Sequence, residues 1–249
     1  MIFTKSNVDA RRGRYRDLSV EGVPVWFTGY LGFDADKARA TASVRPVAYL
    51  IEQDANTTLR SHFHISDQFQ VFVNGAGTFA KQPLQQVTVH YAAAYAPYGP
   101  IHAGDSGLSY FTLRNGPDNG PRFMPESRGE LKTGSRPRRQ FSLPTIGKTA
   151  PQILNRLQSA SVRPLLEAEP GGLGVWLHAV PPAASVTGPS PRDGGGQYWL
   201  VLSGELDALE QALAAGSCLF LPPEAPALTA TAGAGGFEAL VLQFEKQTS

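Results

Sequence analysis

Three histidines in the first half of the chain have the types and spacing of a metal site. His62 and His64 flank a phenylalanine, and His102 follows a turn that contains proline and glycine. Because successive side chains of a β-strand point to opposite faces, His62 and His64 project from one side, with Cα atoms roughly 6.6–7 Å apart. Two imidazoles at that separation can converge on one ion, about 2.0–2.1 Å from each nitrogen. His102 carries the most weight, since a single His-x-His pair is a weak signal.

Other polar side chains share the predicted strands with these histidines. Gln68 could bind the ion weakly through its amide oxygen, hydrogen-bond a metal-bound water or satisfy another polar group of the pocket. Strand alternation places Gln68, Gln70 and Phe72 on one side, which we expect to face the pocket. Arg60 shares the face of the histidines, so it could pair bidentately with a substrate carboxylate or form an ion pair at the rim.

The elements that must position these residues are short β-strands. Runs rich in Val, Tyr, Phe and Thr alternate with Asn, Asp, Gly and Pro, which is typical of an antiparallel sandwich or barrel. The predicted strands are 44–52, 59–64, 69–73, 78–81, 86–91 and 108–114 in the first half, and 173–180, 197–202, 218–221 and 239–244 in the second.

Four segments depart from this pattern. Residues 34–42 could form a turn or two of helix, and residues 151–157 a short helix with Thr149 near its start as a cap. Residues 205–215 are rich in Leu and Ala, which predicts either a helix or a strand pair around a turn. Residues 115–148 have no sustained period, so a linker or a long surface excursion is expected there.

Composition excludes several classes of protein. The net charge of +1 gives no electrostatic reason to expect nucleic acid or a membrane surface, and the basic cluster 136–139 is interpreted as a solvated linker face. The lone Cys218 cannot form an intrachain disulfide, which excludes a disulfide-stapled secreted fold. Residues 1–19 lack the apolar core of a signal peptide, and no apolar run has the length of a bilayer span. A cytoplasmic protein is expected.

The chain contains a candidate internal repeat. A glutamine lies seven residues before a glycine twice, at Gln68 to Gly75 and at Gln197 to Gly204. Aligning the halves on these pairs places Pro191 and Asp193 where the first half has its His-x-His pair. The second half is therefore predicted to copy the first without its metal ligands.

The histidine segments resemble the two sequence motifs of the cupin superfamily. The first motif contains His-x-His, then Glu, then six residues and Gly, and the chain has His62-x-His64, Gln68 and Gly75. The second motif contains Pro-x-Gly-x-x-His, which matches residues 97–102. The match is strong over residues 44–115 and weak in the second half.

Four positions depart from the cupin motifs. Asn56, Tyr91 and Ser106 replace two glycines and an asparagine, which affects turns and leaves the metal chemistry alone. Gln68 replaces the usual glutamate, so the site would keep a charge of about +2 instead of about +1. That charge favours an anionic substrate that chelates the ion through two oxygens.

The resemblance implies an all-β fold with two tandem cupin-type (jelly-roll) β-barrels in one chain, the second barrel degenerate. The implied domains are residues 1–115 with the metal site, a linker at 116–150, and residues 151–249 without metal ligands. It leaves open whether the halves pair within one chain or across a homodimer. The predicted metal ligands are His62, His64, His102 and Gln68, and the predicted substrate-binding residues are Arg60, Gln70 and Phe72.

The resemblance also implies a function. Cupins with three histidines and no carboxylate include iron dioxygenases, so the expected protein is a non-haem iron dioxygenase acting on a small anionic diketone or hydroxylated aromatic acid. The implied cofactor is one divalent transition metal ion per chain, Fe first, with Ni, Zn, Mn or Cu as alternatives.

Two other functions stay open. In a metal-assisted isomerase or lyase the ion would act as a Lewis acid, with Tyr49, Tyr98 or Tyr110 as candidate general bases. A non-catalytic small-molecule-binding protein would explain why the second half has lost its ligands, since fold does not fix function.

Overall fold

The computed structural model describes residues 1–17, 20–34, 37–40, 46–133 and 137–246. Two compact units make up the chain, one of Arg11–Gly147 and one of Met1–Ala10 together with Lys148–Ser249. Within the described residues, no helix is long and apolar enough to cross a membrane.

The elements follow one another in this order. The strands are β1 Phe3–Lys5, β2 Tyr15–Asp17, β3 Val25–Leu31, β4 Phe33–Asp34, β5 Lys37–Ala40, β6 Val47–Gln53, β7 Thr58–Leu59, β8 His62–Phe63, β9 Gln68–Phe79, β10 Gln82–Leu84, β11 Thr88–Ala92, β12 Ile101–Arg114, β13 Arg122–Phe123, β14 Gln140–Ser142, β15 Ser161–Leu166, β16 Gly174–Val180, β17 Ser185–Thr187, β18 Gln197–Ala208, β19 Gln211–Ala214, β20 Cys218–Leu221 and β21 Thr229–Gln243. The helices are α1 Asn7–Arg11, α2 Pro151–Leu154 and the 3₁₀ segments Glu126–Thr133 and Pro191–Asp193.

Antiparallel sheets form both units. In the first unit the strand order is β14-β11-β9-β12-β6-β3-β2, with β10 on β9 and β7 on β12. In the second unit the order is β1-β20-β18-β21-β16-β15, with β17 on β21 and β19 on β18. Long central strands pair in each unit, β9 with β12 and β18 with β21.

These units differ from the predicted domains 1–115, 116–150 and 151–249. β1 pairs with β20, which brings the first residues of the chain to the C-terminal unit. The predicted linker is not structureless, because β13 pairs with β8 and β14 pairs with β11 of the first unit. The sequence did not predict these pairings, because each involves only two or three residues in a segment rich in proline and glycine.

The internal repeat is visible in the backbone. Gly75 and Gly204 occupy the same place in β9 and β18, with φ of 78° and 72°. A Cβ atom at either position would collide with a carbonyl oxygen of the partner strand, at Gly107 and Gly236 respectively. Both the left-handed backbone and the close approach require glycine, which explains the repeated Gln-to-Gly spacing.

Three further predicted elements have different outcomes. Residues 33–34 and 37–40 pair as strands where a helix was predicted. The segment 205–215 is the predicted strand pair, β18 with β19, and not a helix. The helix predicted at 151–157 is the short α2, but Ala150 is its N-cap and Thr149 donates instead to Glu238. Among the predicted features, residues 35–36, 41–42, Val44 and Arg136 lie outside the described residues.

Each unit has its own apolar core. The core of the first unit includes Phe72, Tyr98, Ile101 and Tyr110. This core also borders the pocket described below. The core of the second unit includes Trp199. Cys218 is a buried thiol on β20, as predicted, and burial raises its pKa.

Candidate functional site

A cavity of about 460 Å³ opens into the first barrel. Its polar lining includes His62, His64, Gln70, Tyr98, Arg114 and Asp118. Aromatic and aliphatic side chains from β3, β6 and β12 also line the cavity, among them Phe27, Ile51 and Tyr110. A largely apolar cavity with a few convergent polar groups is the usual form of a small-molecule site.

His62 and His64 meet in this cavity, as the strand alternation predicted. Their ring centroids are 5.3 Å apart and their planes are inclined by 84°. Imidazoles that share an ion at about 2.1 Å from each nitrogen place their centroids about 4.5–5.5 Å apart. The two rings are therefore close enough to contact one ion.

Hydrogen bonds fix the tautomer of both rings. Nδ1 of His62 donates to the backbone oxygen of Arg60 at 2.7 Å, and Nδ1 of His64 donates to Oδ1 of Asp118 at 2.7 Å. Each Nε2 therefore carries the lone pair, which is how metal-binding histidines are usually held. Burial lowers the pKa of His62 to about 3 and that of His64 to about 4, so both rings are neutral at pH 7.

His102 does not join the pair, which corrects the predicted three-histidine site. Its neighbours Ile101 and Ala103 are fully buried in the barrel core, so alternation turns the His102 side chain to the other face of β12. Its Nδ1 is hydrogen-bonded with Oγ1 of Thr58 at 2.8 Å. Across the described residues, no group of three or more His, Cys, Asp or Glu side chains is placed to hold a metal ion.

Tyr98 occupies the place beside the pair. It forms a backbone bridge with His62, with N–O distances of 2.9 and 3.1 Å. Its ring centroid lies 4.6 Å from that of His62 and 6.3 Å from that of His64. Burial raises the pKa of the Tyr98 phenol, so the group is protonated at neutral pH.

A buried arginine is the cation of this pocket. Arg114 donates from Nε to Oε1 of Gln68 at 3.1 Å and from Nη2 to the hydroxyl of Tyr49 at 2.9 Å. Its Nη1 lies 3.7 Å from Oδ1 of Asp118. Gln68, predicted as a metal ligand, thus uses its amide oxygen to position Arg114.

Asp118 is held as a carboxylate. Burial alone would raise its pKa, but the charge of Arg114 and the hydrogen bonds from His64 and the backbone of Gly120 hold the pKa well below its usual range. Ile65 also donates its backbone N–H to this carboxylate at 2.9 Å. Asp118 therefore connects the imidazole of His64 to the guanidinium of Arg114.

The three predicted substrate-binding residues take different positions relative to the cavity. Gln70 lines the cavity, and Phe72 packs in the core beside it. Arg60 is not among the cavity-lining residues, because its guanidinium forms ion pairs with Glu21 and Glu126 on the surface. This is the rim ion pair that the sequence left as an alternative.

Sequence reasoning missed Arg114 and Asp118. Arg114 ends a predicted strand, and alternation places it on the face of Tyr110 and Thr112, so a usable signal existed. Asp118 follows in the predicted linker, where no periodicity could place it.

A divalent ion fits part of the donor set. His62 and His64 supply two neutral imidazole nitrogens, which suit Fe, Ni, Cu and Zn. The remaining positions would be left for water, substrate oxygens or the phenol of Tyr98. The site thus has two protein nitrogens where the sequence motifs suggested three.

Neither the known protein families nor the curated proteins include a match to this chain. Solved structures that are similar to it include the following three. Oxalate decarboxylase from Lactobacillus farciminis, in a formate complex, matches 99% of this chain and 87% of its own at 12% identity, with a TM-score of 0.61. The bacterial pirin YhhW from Escherichia coli, in complex with nickel(II), matches 99% and 100% at 12% identity, with a TM-score of 0.59. A protein from Nostoc punctiforme, provisionally described as a dioxygenase, matches 100% and 81% at 14% identity, with a TM-score of 0.60.

These neighbours have cupin jelly-roll barrels. This chain has a bicupin fold. The all-β prediction with two tandem barrels is confirmed.

The second barrel of the bicupin has a packed interior at the corresponding positions. β9 and β18 are the equivalent central strands, each of twelve residues, and they begin at Gln68 and Gln197. Trp199 therefore stands where the first barrel has Gln70. Its ring is fully buried, and its Nε1 donates to Oε1 of Gln197 at 2.8 Å.

Proposed function

We propose that this bicupin is a metal-dependent enzyme whose first barrel binds one divalent transition metal ion through Nε2 of His62 and Nε2 of His64. The observation that carries the proposal is the pair of hydrogen bonds at Nδ1, to Arg60 and Asp118. These bonds direct the lone pair of each imidazole to Nε2, on side chains that line the same cavity.

The substrate of the proposal is a small anion. A cavity of about 460 Å³ lies within the size range of small-molecule sites. Arg114 lines it, and its guanidinium is the buried positive charge that would attract a substrate carboxylate. Phe27 and Ile51, which also line the cavity, would pack against the apolar part of such a substrate.

For the reaction itself, a non-haem iron dioxygenase is our first candidate. An ion with open positions would polarise substrate oxygens and supply redox chemistry. The chain itself would hold the substrate anion at Arg114, keep the imidazoles neutral and exclude water with the apolar wall. Hydroxylated aromatic acids and diketones fit this description, and Ni, Zn, Mn or Cu are alternatives to Fe.

The isomerase or lyase alternative needs a general base, and two of the tyrosines predicted for that role do not supply one. Burial raises the pKa of Tyr98, and burial also raises the pKa of Tyr110 well above the ordinary value. Neither phenol can accept a proton at neutral pH.

One observation favours a second candidate, a small-molecule-binding protein without catalysis. His102 faces away from the pair, so the site has two histidines where three were predicted. Such a protein would use the same cavity and the same Arg114 but would not require an ion. For both the enzyme and the binding protein, a cytoplasmic location and a homodimer remain predictions.

Metal analysis of matched variants tests the proposal. Wild-type protein expressed in metal-replete medium is expected to hold about one transition ion per chain, measured by mass spectrometry of the purified protein. His62→Ala and His64→Ala are expected to lose it, whereas His102→Ala keeps it. Absence of an ion from the wild type would contradict the proposal and support the binding protein.

Oxygen uptake then separates the reactions. Fe(II)-dependent oxygen consumption with a hydroxylated aromatic acid or a diketone is the result expected of a dioxygenase. Turnover under argon would show isomerase or lyase chemistry instead. Loss of metal from His102→Ala as well would restore the three-histidine site and overturn the placement of that side chain.

A further inference from the structure

Three adjacent strands place a row of polar side chains across the barrel interior. Gln70 on β9 lies directly opposite His90 on β11 and directly opposite Thr112 on β12. Residues directly opposite each other point to the same face of a sheet. Gln70 and Thr112 line the cavity, and the His90 ring lies 5.9 Å from that of Tyr98.

This row contains buried polar atoms that lack a protein partner. The unpartnered atoms are Oε1 of Gln70 and Nε2 of His90, on side chains that are only 2% exposed, whereas the amide of Gln68 is hydrogen-bonded with the phenol of Tyr98. Gln68 and Gln70 are two residues apart on one strand, so they share a face. Because buried polar groups normally have partners, two exceptions on directly opposite residues indicate a place where a ligand supplies a partner.

The second barrel provides an internal comparison. At the position of Gln68 it has Gln197, whose Nε2 donates to Oε1 of Gln243 at 2.9 Å and to the Pro189 carbonyl at 3.1 Å. Oε1 of Gln197 accepts from Nε1 of Trp199. The fold therefore satisfies a glutamine here when no pocket is present, and the side chains of Gln197 and Trp199 are both hydrogen-bonded at the positions that Gln68 and Gln70 take in the first barrel.

We propose that the first barrel selects a small hydroxy-carboxylate, whose carboxylate accepts from Arg114 and whose hydroxyl donates to Oε1 of Gln70. The inference rests on the proposed function and names the substrate class of that site. Gln70 lies opposite Thr112, two residues before Arg114, so the two groups are diagonal neighbours on adjacent strands. The hydroxyl must therefore lie close to the carboxylate in the ligand.

This choice separates hydroxy acids from diketones. A diketone enolate and a keto acid present only acceptor oxygens, which would leave Oε1 of Gln70 buried without a partner. A site built to hydrogen-bond a hydroxyl rejects the analogue that lacks it much more strongly than an apolar pocket rejects a missing methylene. Gln70 is thus a specificity-determining residue.

Three probes that share a phenyl ring and a carboxylate test the inference. Mandelate carries a hydroxyl, phenylacetate carries hydrogen and phenylglyoxylate carries a keto oxygen at the same carbon. Their affinities are measured by calorimetry on metal-loaded and on metal-free protein. Wild type is expected to bind mandelate about 100-fold more tightly than either analogue in both forms.

Two variants assign the preference to Gln70. Gln70→Leu is expected to reduce the preference to about threefold or less while metal content stays unchanged. Gln82→Leu, at an exposed glutamine of β10 in the same sheet, is the matched control and keeps the wild-type ratio. If Gln70→Leu does not fold, the wild-type ratio in metal-free protein decides the question alone.

The outcomes are distinct. Equal binding of the three probes, or a preference for phenylglyoxylate, overturns the hydroxy-carboxylate inference. A hydroxyl preference only in metal-loaded protein assigns it to chelation, which overturns the role of Gln70 and leaves the metal proposal intact. If the wild-type protein binds no ion at all and still prefers the hydroxyl, the role of Gln70 is supported and the metal proposal is contradicted.

Discussion

Nδ1 of His64 and Oδ1 of Asp118 are joined by a 2.7 Å hydrogen bond between two buried side chains. The carboxylate also accepts from two backbone N–H groups, of Ile65 and Gly120, so it is held in place independently of the imidazole. This anchor determines both the orientation of the ring and the nitrogen that carries its lone pair.

Replacing Asp118 by asparagine should weaken metal binding. An amide can donate to Nδ1 through its nitrogen, which would move the imidazole proton to Nε2 and block the proposed ligand atom. Loss of such a partner typically costs 10–100-fold in metal affinity, so we expect a decrease of about that size in Asp118→Asn. Competition with a chelating dye measures it.

The control for Asp118→Asn is Asp54→Asn. Asp54 belongs to the same barrel and pairs with Arg16 at the surface, where the side chain of Asp54 is 40% exposed. This variant should keep the wild-type metal affinity. Equal losses in the two variants would show that any loss of a carboxylate weakens the site, and would refute the positioning role of Asp118.

The comparison of His64 with His102 shows what sequence could predict. The His-x-His pair needed only strand alternation within one short segment, and the structure places both rings in one cavity. To predict where the His102 side chain points, the register between strands far apart in sequence would have been needed. Its motif spacing is correct, but Ile101 and Ala103 face the core, and one residue of register decides which face a side chain takes.

The same limit applies to the arginines. Arg60 was placed on the ligand face by alternation, yet Glu21 and Glu126 come from segments far away in sequence and hold it at the surface. Arg114 could have been placed on the cavity face by counting along its strand. Its importance depends on burial by strands from both sides, which no local pattern encodes.

The two arginines should therefore respond oppositely to substitution. Arg60→Gln removes surface ion pairs, so we expect phenylacetate affinity to stay within about twofold and the melting temperature to change by about 2 °C or less. Arg114→Gln removes the buried cation and should weaken phenylacetate binding by about tenfold or more. Calorimetry on both variants makes the comparison.

Arg114→Lys guards against a folding defect. It keeps the positive charge beside Asp118 but lacks the planar fork of the guanidinium, so it should fold and still bind the carboxylate more weakly than wild type. A loss of carboxylate affinity in Arg60→Gln, with none in Arg114→Lys or Arg114→Gln, would return the anion site to Arg60.

His178 of the second barrel should make stability depend on pH. The side chain is fully buried against Trp199, with ring centroids 4.9 Å apart, and neither nitrogen has a partner. Burial lowers its pKa from 6.5 to about 4. Below pH 6.5 the unfolded chain binds a proton at this residue and the folded chain does not, so stability falls as pH decreases from 6.5 to about 4 and is retained above pH 6.5.

His178→Phe should remove this dependence. Between pH 7 and pH 5 the wild type should lose about 2 kcal/mol more than the variant in its free energy of unfolding, from about 1.4 kcal/mol for each pH unit below 6.5. Denaturant titration followed by tryptophan fluorescence measures the difference, in which the other titrating groups cancel. Leu177→Met, a packing change on the same strand without a titrating group, should keep the wild-type dependence. The same pH dependence in His178→Phe as in wild type would show that His178 already binds its proton in the folded barrel.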